Sequence, residues 1–229
     1  MRLNSDLAHM WDLEPSEAIR LQERLREGLI LEYEEGQIAS VAGVDVHYGG
    51  HAAVAAIIVM AFPSLEPIEA VRGEAEMTFP YIPGLLSFRE GPAVLEAWRQ
   101  LRTDPDLLMF DAQGIAHPRR FGLAAHLGLL LDHPSIGVAK SRLYGLHETP
   151  GPNRGDRAAL WDEECKDELI GTVLRTQDGV RPLYVSPGHR MDVAHAVEFV
   201  LPCCARYRLP EPTRWAHRVA GGAPFPRSA

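Results

Sequence analysis

The run from Ala52 to Phe62, AAVAAIIVMAF, is the longest unbroken apolar stretch in the chain, and it constrains the fold more than any other feature. It is well short of the roughly 20 apolar residues that a membrane-spanning helix needs, so it reads as a buried strand. Two further extended stretches flank it, Ile38 to Tyr48 and about Ile68 to Phe79. Gly49-Gly50 separates the first two runs, and a two-residue glycine turn favours a hairpin. The three therefore read as an antiparallel meander. Before them, Ala18, Leu21, Leu25 and Leu29 recur at helical spacing among charged residues, which predicts an amphipathic helix from Ser16 to Leu29.

FPYIPGLLSFRE interrupts the meander with prolines and a glycine, then places Ser87 and Glu90 at capping-box spacing. A helix is expected from there to about Leu101. The pattern then alternates: strand Leu107 to Asp111, helix Phe121 to Leu131, strand Ser135 to Ala139. Such alternation implies parallel strands joined by right-handed crossovers. TPGPNRGD, Thr149 to Asp156, reads as a loop; Glu168 to Arg175 and Val180 to Val185 read as a hairpin turned at Asp178-Gly179. Asp192 to Ala205 and Pro212 to Ala220 read as closing helices. The expected architecture is an α/β ribonuclease H-like mixed sheet, three antiparallel strands followed by parallel ones, flanked by helices. With 229 residues, 46% of them hydrophobic, residues 1–229 are expected to form one domain.

The formal net charge of −8 argues against nucleic-acid binding by bulk positive charge. Any such binding has to be local. Arg119, Arg120, Lys140, Arg142, Arg181, His189 and Arg190 lie near strand ends and either gather on one face of the sheet or scatter. The three cysteines, Cys165, Cys203 and Cys204, match neither a disulfide scaffold nor a zinc pattern, which leaves core packing. Met1 to Glu17 lacks the basic start, apolar middle and small-residue cleavage site of a secretory signal, so a cytoplasmic location is the default expectation, with no membrane partner.

Asp45 lies within VAGVDVHYGG, a strand otherwise made of small and apolar residues, and Asp111 ends the apolar run DLLMF. A carboxylate buried without a partner costs several kcal/mol or takes up a proton. Each acid alone fits a cap or turn. If the strands that carry them are neighbours, the two meet at one end of the sheet and suit Mg²⁺ or Mn²⁺, hard cations that keep waters and accept substrate phosphate. Glu90 is the natural third acid, or the capping partner of Ser87, or both. A metal held this way activates water for phosphodiester hydrolysis, and it lets an acidic site receive an anionic backbone.

Lys140 closes SIGVAK and reads as a phosphate contact or a solvated strand-end lysine. His117 and Arg119, in the loop after Asp111, are similarly placed for phosphate. In VSPGHRMD, a helix beginning near Asp192 would offer free N–H groups to an anion beside Ser186, Gly188 and His189; a plain strand-to-helix turn accounts for it equally well. His217, in RWAHRVA, reads alone as a surface helix residue. The tetrapeptide YIPG, with Tyr81 and Ile82 between Pro80 and Pro83 and then Gly84, is either a packed turn or a rigid tip able to wedge between bases.

In their order, VAGVDV, FPYIPGLLSFREGP, FDAQGIAHPRRFGLAAHLG, IGVAKSRLYG, VSPGHRMD and PTRWAH resemble endonuclease V, and the likeness covers most of the chain. The resemblance implies a DNA repair enzyme with a ribonuclease H-like fold. Its reaction would be Mg²⁺-assisted hydrolysis of the second phosphodiester bond 3′ to deoxyinosine, leaving a 3′-hydroxyl and a 5′-phosphate, with Mn²⁺ able to substitute. It implies that Asp45 and Asp111 are the principal metal carboxylates, Glu90 the third acid and Lys140 the active-site lysine. The stretch Pro80 to Pro83 becomes a strand-separating wedge with Tyr81 as its main DNA contact. Position 217 takes Asp or His among relatives, and His is the weaker ligand for Mg²⁺. Small residues near Gly114 and in SPG would suit a tight pocket for an extruded base. Inosine-containing RNA, or branched DNA cut by a structure-specific nuclease on the same core, remain the alternatives.

Overall fold

The computed structural model describes residue 4 and residues 7–225. Of the N-terminal stretch read above for a secretory leader, residues 1–3, 5 and 6 therefore lie outside those described. Eight strands form one mixed sheet: β1 (Ser40–Gly49), β2 (Ala52–Ala61), β3 (Pro67–Glu76), β4 (Leu107–Phe110), β5 (Ser135–Ala139), β6 (Arg157–Trp161), β7 (Leu169–Leu174) and β8 (Leu183–Pro187). Their spatial order is β3-β2-β1-β4-β5-β8-β7-β6. The first three pair antiparallel as a meander, β1, β4 and β5 run parallel, and β8, β7 and β6 continue antiparallel.

Five α-helices flank the sheet: α1 (Pro15–Leu25), α2 (Leu86–Trp98), α3 (Leu123–Leu131), α4 (Val193–Cys203) and α5 (Glu211–Ala220). Strand alternation sorts β1 between two cores. Val41 faces the layer built with Val197 and Val200 of α4 and Ala216 and Val219 of α5. Ala42 and Val44 face the layer built with Val94 and Trp98 of α2 and Leu127 of α3. A third cluster seats α1, through Leu21 and Leu25, on Phe79, Phe88 and Phe121. Among the described residues no helix is long and apolar enough to cross a membrane.

Three local expectations need correction. Helix α2 has Leu85 as its N-cap with no side-chain cap, so Ser87 and Glu90 do not form a capping box. Ser87 is turned inward to His126 instead. Strand β6 was not anticipated, because an edge strand with half-exposed residues carries no clean alternation. Of the three cysteines, Cys203 and Cys204 are buried, but Cys165 is exposed.

Candidate active site

The parallel register puts the acids side by side. Val44 pairs with Phe110, and the Asp111 N–H continues the ladder by donating to the Val44 carbonyl at 3.1 Å. Asp45 and Asp111 are thus consecutive with paired residues at one end of the sheet. By alternation Asp45 shares the face of Val41 and Gly43, the face covered by α5, and there His217 Nδ1 lies 2.7 Å from Asp45 Oδ2. Gly43 makes this approach possible, since a Cβ at that position would stand 2.0 Å from the Pro212 carbonyl carbon.

Glu90 comes from the opposite layer, on the second turn of α2, and is only 8% exposed. The Tyr48 hydroxyl donates to its Oε1, and the Arg89 guanidinium lies 5.0 Å over the Tyr48 ring. Lys140, the residue after β5, pairs with Asp111 Oδ2. Each acid therefore has a protein partner: His217 for Asp45, Lys140 for Asp111, Tyr48 for Glu90.

Electrostatics favour a cation at this point. Burial, and next the Asp111 charge, raise the Asp45 carboxyl above its ordinary range, against the His217 hydrogen bond. Burial pushes Glu90 up to about 8, with the charges of Asp45 and Asp111 adding to the rise and the Tyr48 hydrogen bond opposing it. Asp45 and Glu90, each raised in part by neighbouring carboxylate charge, stand with Asp111 as a hard-oxygen donor set short of positive charge. Among the described residues, no three acids, histidines or cysteines stand as a finished ligand cluster; Lys140 is paired with Asp111, and Tyr48 donates to Glu90. The residues present fit a divalent cation, provided those partners yield.

The YIPG turn stands on a built support. Tyr81 is 67% exposed, which removes the packed-turn reading for that residue, whereas Ile82 packs against the α1 cluster. Gly84 has φ +83°, a conformation that favours glycine. Its carbonyl accepts from Gln22 Nε2 at 3.0 Å, His117 Nε2 at 2.9 Å and Arg119 Nη2 at 2.7 Å. His117 is 2% exposed, and burial followed by the Arg119 charge lowers its pKa to about 4. An inward, neutral ring is not a free phosphate contact; His117 and Arg119 anchor the turn.

Gly188 and His189 also depart from expectation. They flank Ser135, the first residue of β5, through Gly188 N–H to the Ser135 carbonyl and Ser135 N–H to the His189 carbonyl. Lys140 lies five residues along the same strand direction, roughly 16 Å away at strand rise. His189, 2% exposed, faces Asp132 at 3.3 Å, which also pairs with Arg190. Ser186 is buried, and its Oγ accepts from Gly114 N–H at 2.9 Å. The proposed basic face is correspondingly dispersed: Arg190 is tied to Asp132, and Arg120 to Asp162 and Glu168.

Between the YIPG turn and the loop after Asp111 is a cavity of about 40 Å³ whose lining includes Gly84, Ser87, Gln113, His117, Gly122 and Leu143. Gly114 is not part of that lining; it supports the wall from behind, its carbonyl accepting from Gly122 N–H at 2.9 Å. A larger groove of about 650 Å³ beside β6 shares no residue with the acids or with the turn. Sequence reasoning missed Tyr48, Ser87 and Gln113 as parts of the site. For Tyr48 a signal existed, because strand alternation puts it on the α2 side of β1, opposite to Asp45.

Residues 23–218 match the family model described as Endonuclease V. An endonuclease V from Roseiflexus castenholzii is 49% identical over 219 residues, 96% of this chain and 97% of that protein. The chain belongs to the endonuclease V family. It is accordingly a nuclease, a hydrolase of phosphodiester bonds, and its ribonuclease H-like sheet is the fold of solved endonuclease V structures. The endonuclease V of Streptomyces avermitilis superposes with a TM-score of 0.86 at 41% identity, covering 92% of this chain and 93% of its own. Endonuclease V of Ciona intestinalis superposes with a TM-score of 0.79 at 26% identity, covering 90% and 95%. It was solved in complex with a 24mer DNA containing an inosine followed by a ribo-adenosine.

Proposed function

We propose that this enzyme acts in DNA repair with Mg²⁺, hydrolysing the second phosphodiester bond 3′ to deoxyinosine and leaving a 3′-hydroxyl and a 5′-phosphate. The observation that carries the reading is the pair Asp45 and Asp111, side by side at one sheet end, with Glu90 of α2 within electrostatic reach of both. These three would hold the cation, with His217 a further donor through Asp45. A bound divalent cation would supply an activated water and charge stabilisation at the reacting phosphate. Lys140, engaged with Asp111, would turn its ammonium toward a phosphate oxygen as that carboxylate takes up the metal. The exposed Tyr81 ring on its anchored turn would fill the gap left by an extruded base, and the cavity behind the turn would receive that base. The inosine-bearing DNA held by the Ciona relative supports this substrate.

The test is cleavage of single- and double-stranded DNA and RNA oligonucleotides carrying one inosine, with and without Mg²⁺, mapping the cut by product length. Cutting at the second bond 3′ to inosine in DNA, and only with the metal, is the expected result. Robust cutting in EDTA, or equal cutting of undamaged strands, overturns the reading.

A further inference from the structure

The turn between β6 and β7 carries a buried acid far from the three carboxylates. Asp162 follows the last residue of β6 and is 2% exposed. Its Oδ1 accepts the backbone N–H groups of Glu164 and Cys165, both at 2.5 Å, and so closes the turn. Its Oδ2 is paired with the guanidinium of Arg120, a side chain only 17% exposed. Taking two charges this far out of water costs much of what their attraction returns, and an apolar pair of similar size often serves stability better. A buried pair of this kind therefore points to a role in position.

Arg120 closes the turn that His117 begins. Its backbone N–H donates to the His117 carbonyl at 2.9 Å, and its Nη1 donates to the same oxygen at 3.0 Å. The backbone at Arg120 has φ +56°, a left-handed conformation that a non-glycine residue keeps only where its surroundings over-determine it. Those surroundings come from beyond the turn: Asp162 at one end of the guanidinium, Glu168 Oε1 3.3 Å from Nε, and the Tyr144 ring 5.3 Å below. On its other side the same turn presents the two groups that anchor YIPG, His117 Nε2 and Arg119 Nη2, both on the Gly84 carbonyl. A continuous chain of contacts thus runs from the Asp162 carboxylate through Arg120, the His117 carbonyl and the His117 ring to the end of the YIPG turn.

We propose that Asp162 is a positioning residue for the wedge: through Arg120 it fixes the His117 to Arg120 turn, and with it the attitude in which Tyr81 enters an opened duplex. The proposal rests on the reading above in which Tyr81 fills the gap left by an extruded base. It gives the β6–β7 hairpin a part in strand opening although Asp162, buried behind the turn, touches no nucleic acid. The charge is what acts. With Asn at position 162, Oδ1 still closes its own turn, but the guanidinium is left to Glu168 at the surface and releases the His117 carbonyl.

The experiment uses the full chain in Ca²⁺ and two probes, a duplex with one inosine beside a 2-aminopurine, whose fluorescence rises when it unstacks, and the inosine strand alone. Asp162→Asn should weaken duplex binding by about threefold to thirtyfold, the usual size of an effect transmitted through packed and hydrogen-bonded neighbours, and should diminish the fluorescence rise. Binding of the single strand, which needs no opening, should be unchanged. Tyr81→Ala should show the same pattern, and the double variant should be no weaker than Tyr81→Ala alone. If Asp162→Asn does not melt cooperatively, Arg120→Lys takes its place, since it keeps a cation opposite Asp162 but loses the planar fork that reaches the His117 carbonyl. Wild-type duplex binding and fluorescence in the position 162 or 120 variant, beside a loss in Tyr81→Ala, overturns the brace while leaving the wedge. Additive losses in the double variant, or equal losses on duplex and single strand, overturn it too. An undiminished fluorescence rise in Tyr81→Ala overturns the wedge reading itself, and the brace with it.

Discussion

Tyr81 and His117 act at the scale of single residues and pull in opposite directions, one outward and one inward. Tyr81 is held exposed by a turn whose Gly84 carbonyl has three donors, so its aromatic face is available without any rearrangement. Tyr81→Ala should weaken binding to inosine-containing DNA by about 1–3 kcal/mol, the usual worth of one base–aromatic stack, with metal binding untouched. Tyr81→Phe should be nearly silent; a large effect of the Phe variant in gel-shift affinities would move the weight from the ring to the hydroxyl. His117 makes a prediction about pH. Its proton affinity is lowered to about 4, so between pH 6.5 and 4 the unfolded chain takes up a proton that the folded chain refuses. Stability is therefore present above pH 6.5 and falls as the pH drops, by roughly 2 kcal/mol at pH 5 from this residue alone. His117→Gln, whose amide still donates to Gly84, should flatten that slope in denaturant melts at pH 7.5 and pH 5. His126, lowered in the same direction, leaves part of the slope in place.

Elements meet where side chains are missing, and β1 against α5 is the closest case. Gly43→Ala would set a Cβ into the Pro212 backbone, where no rotamer change gives relief. It should destabilise by about 1–3 kcal/mol, as overpacked cores do, and it should weaken metal-dependent cleavage as well, because α5 carries His217 to Asp45. A melt unchanged from wild type would show that α5 is loosely seated. The same scale explains what was legible in the sequence. The meander and the β4–α3–β5 unit are readable because their apolar periodicities are strong and their turns are marked by glycine. Asp45 and Asp111 follow from them, since parallel register forces the two strand ends together. Ser87 and Glu90 mislead because capping-box spacing also describes two inward-facing residues on successive turns of a helix buried on one side. His189 misleads because the sequence around it shows a strand end without showing which end of the sheet, and β8 runs antiparallel to β5. Tyr48 and Gln113 become visible only when α2 and the loop after β4 are folded over the sheet.

At the scale of the whole molecule, a net charge of −8 has to coexist with a polyanionic substrate. Part of the basic charge near the sheet is already spent internally: Arg120 on Asp162, Arg190 on Asp132 at 2.8 Å, and Arg214 on Glu211 at 2.6 Å. With those cations engaged and the net charge negative, the proposed metal would supply much of the local attraction at the reacting phosphate. Two consequences separate this from binding by a basic surface. Raising salt from 50 to 200 mM should weaken Ca²⁺-supported binding of inosine DNA by only about tenfold to a hundredfold, the response of some three phosphate contacts, where six to ten contacts would cost about 10³ to 10⁵. Removing the metal at constant salt should cost more than that whole salt series. Ca²⁺, with its longer and looser oxygen geometry, should support this binding without efficient cleavage, while Mn²⁺ should restore cutting. A steep salt slope combined with binding indifferent to EDTA would mean that arginines and lysines, and not the Asp45–Glu90–Asp111 centre, hold the strand.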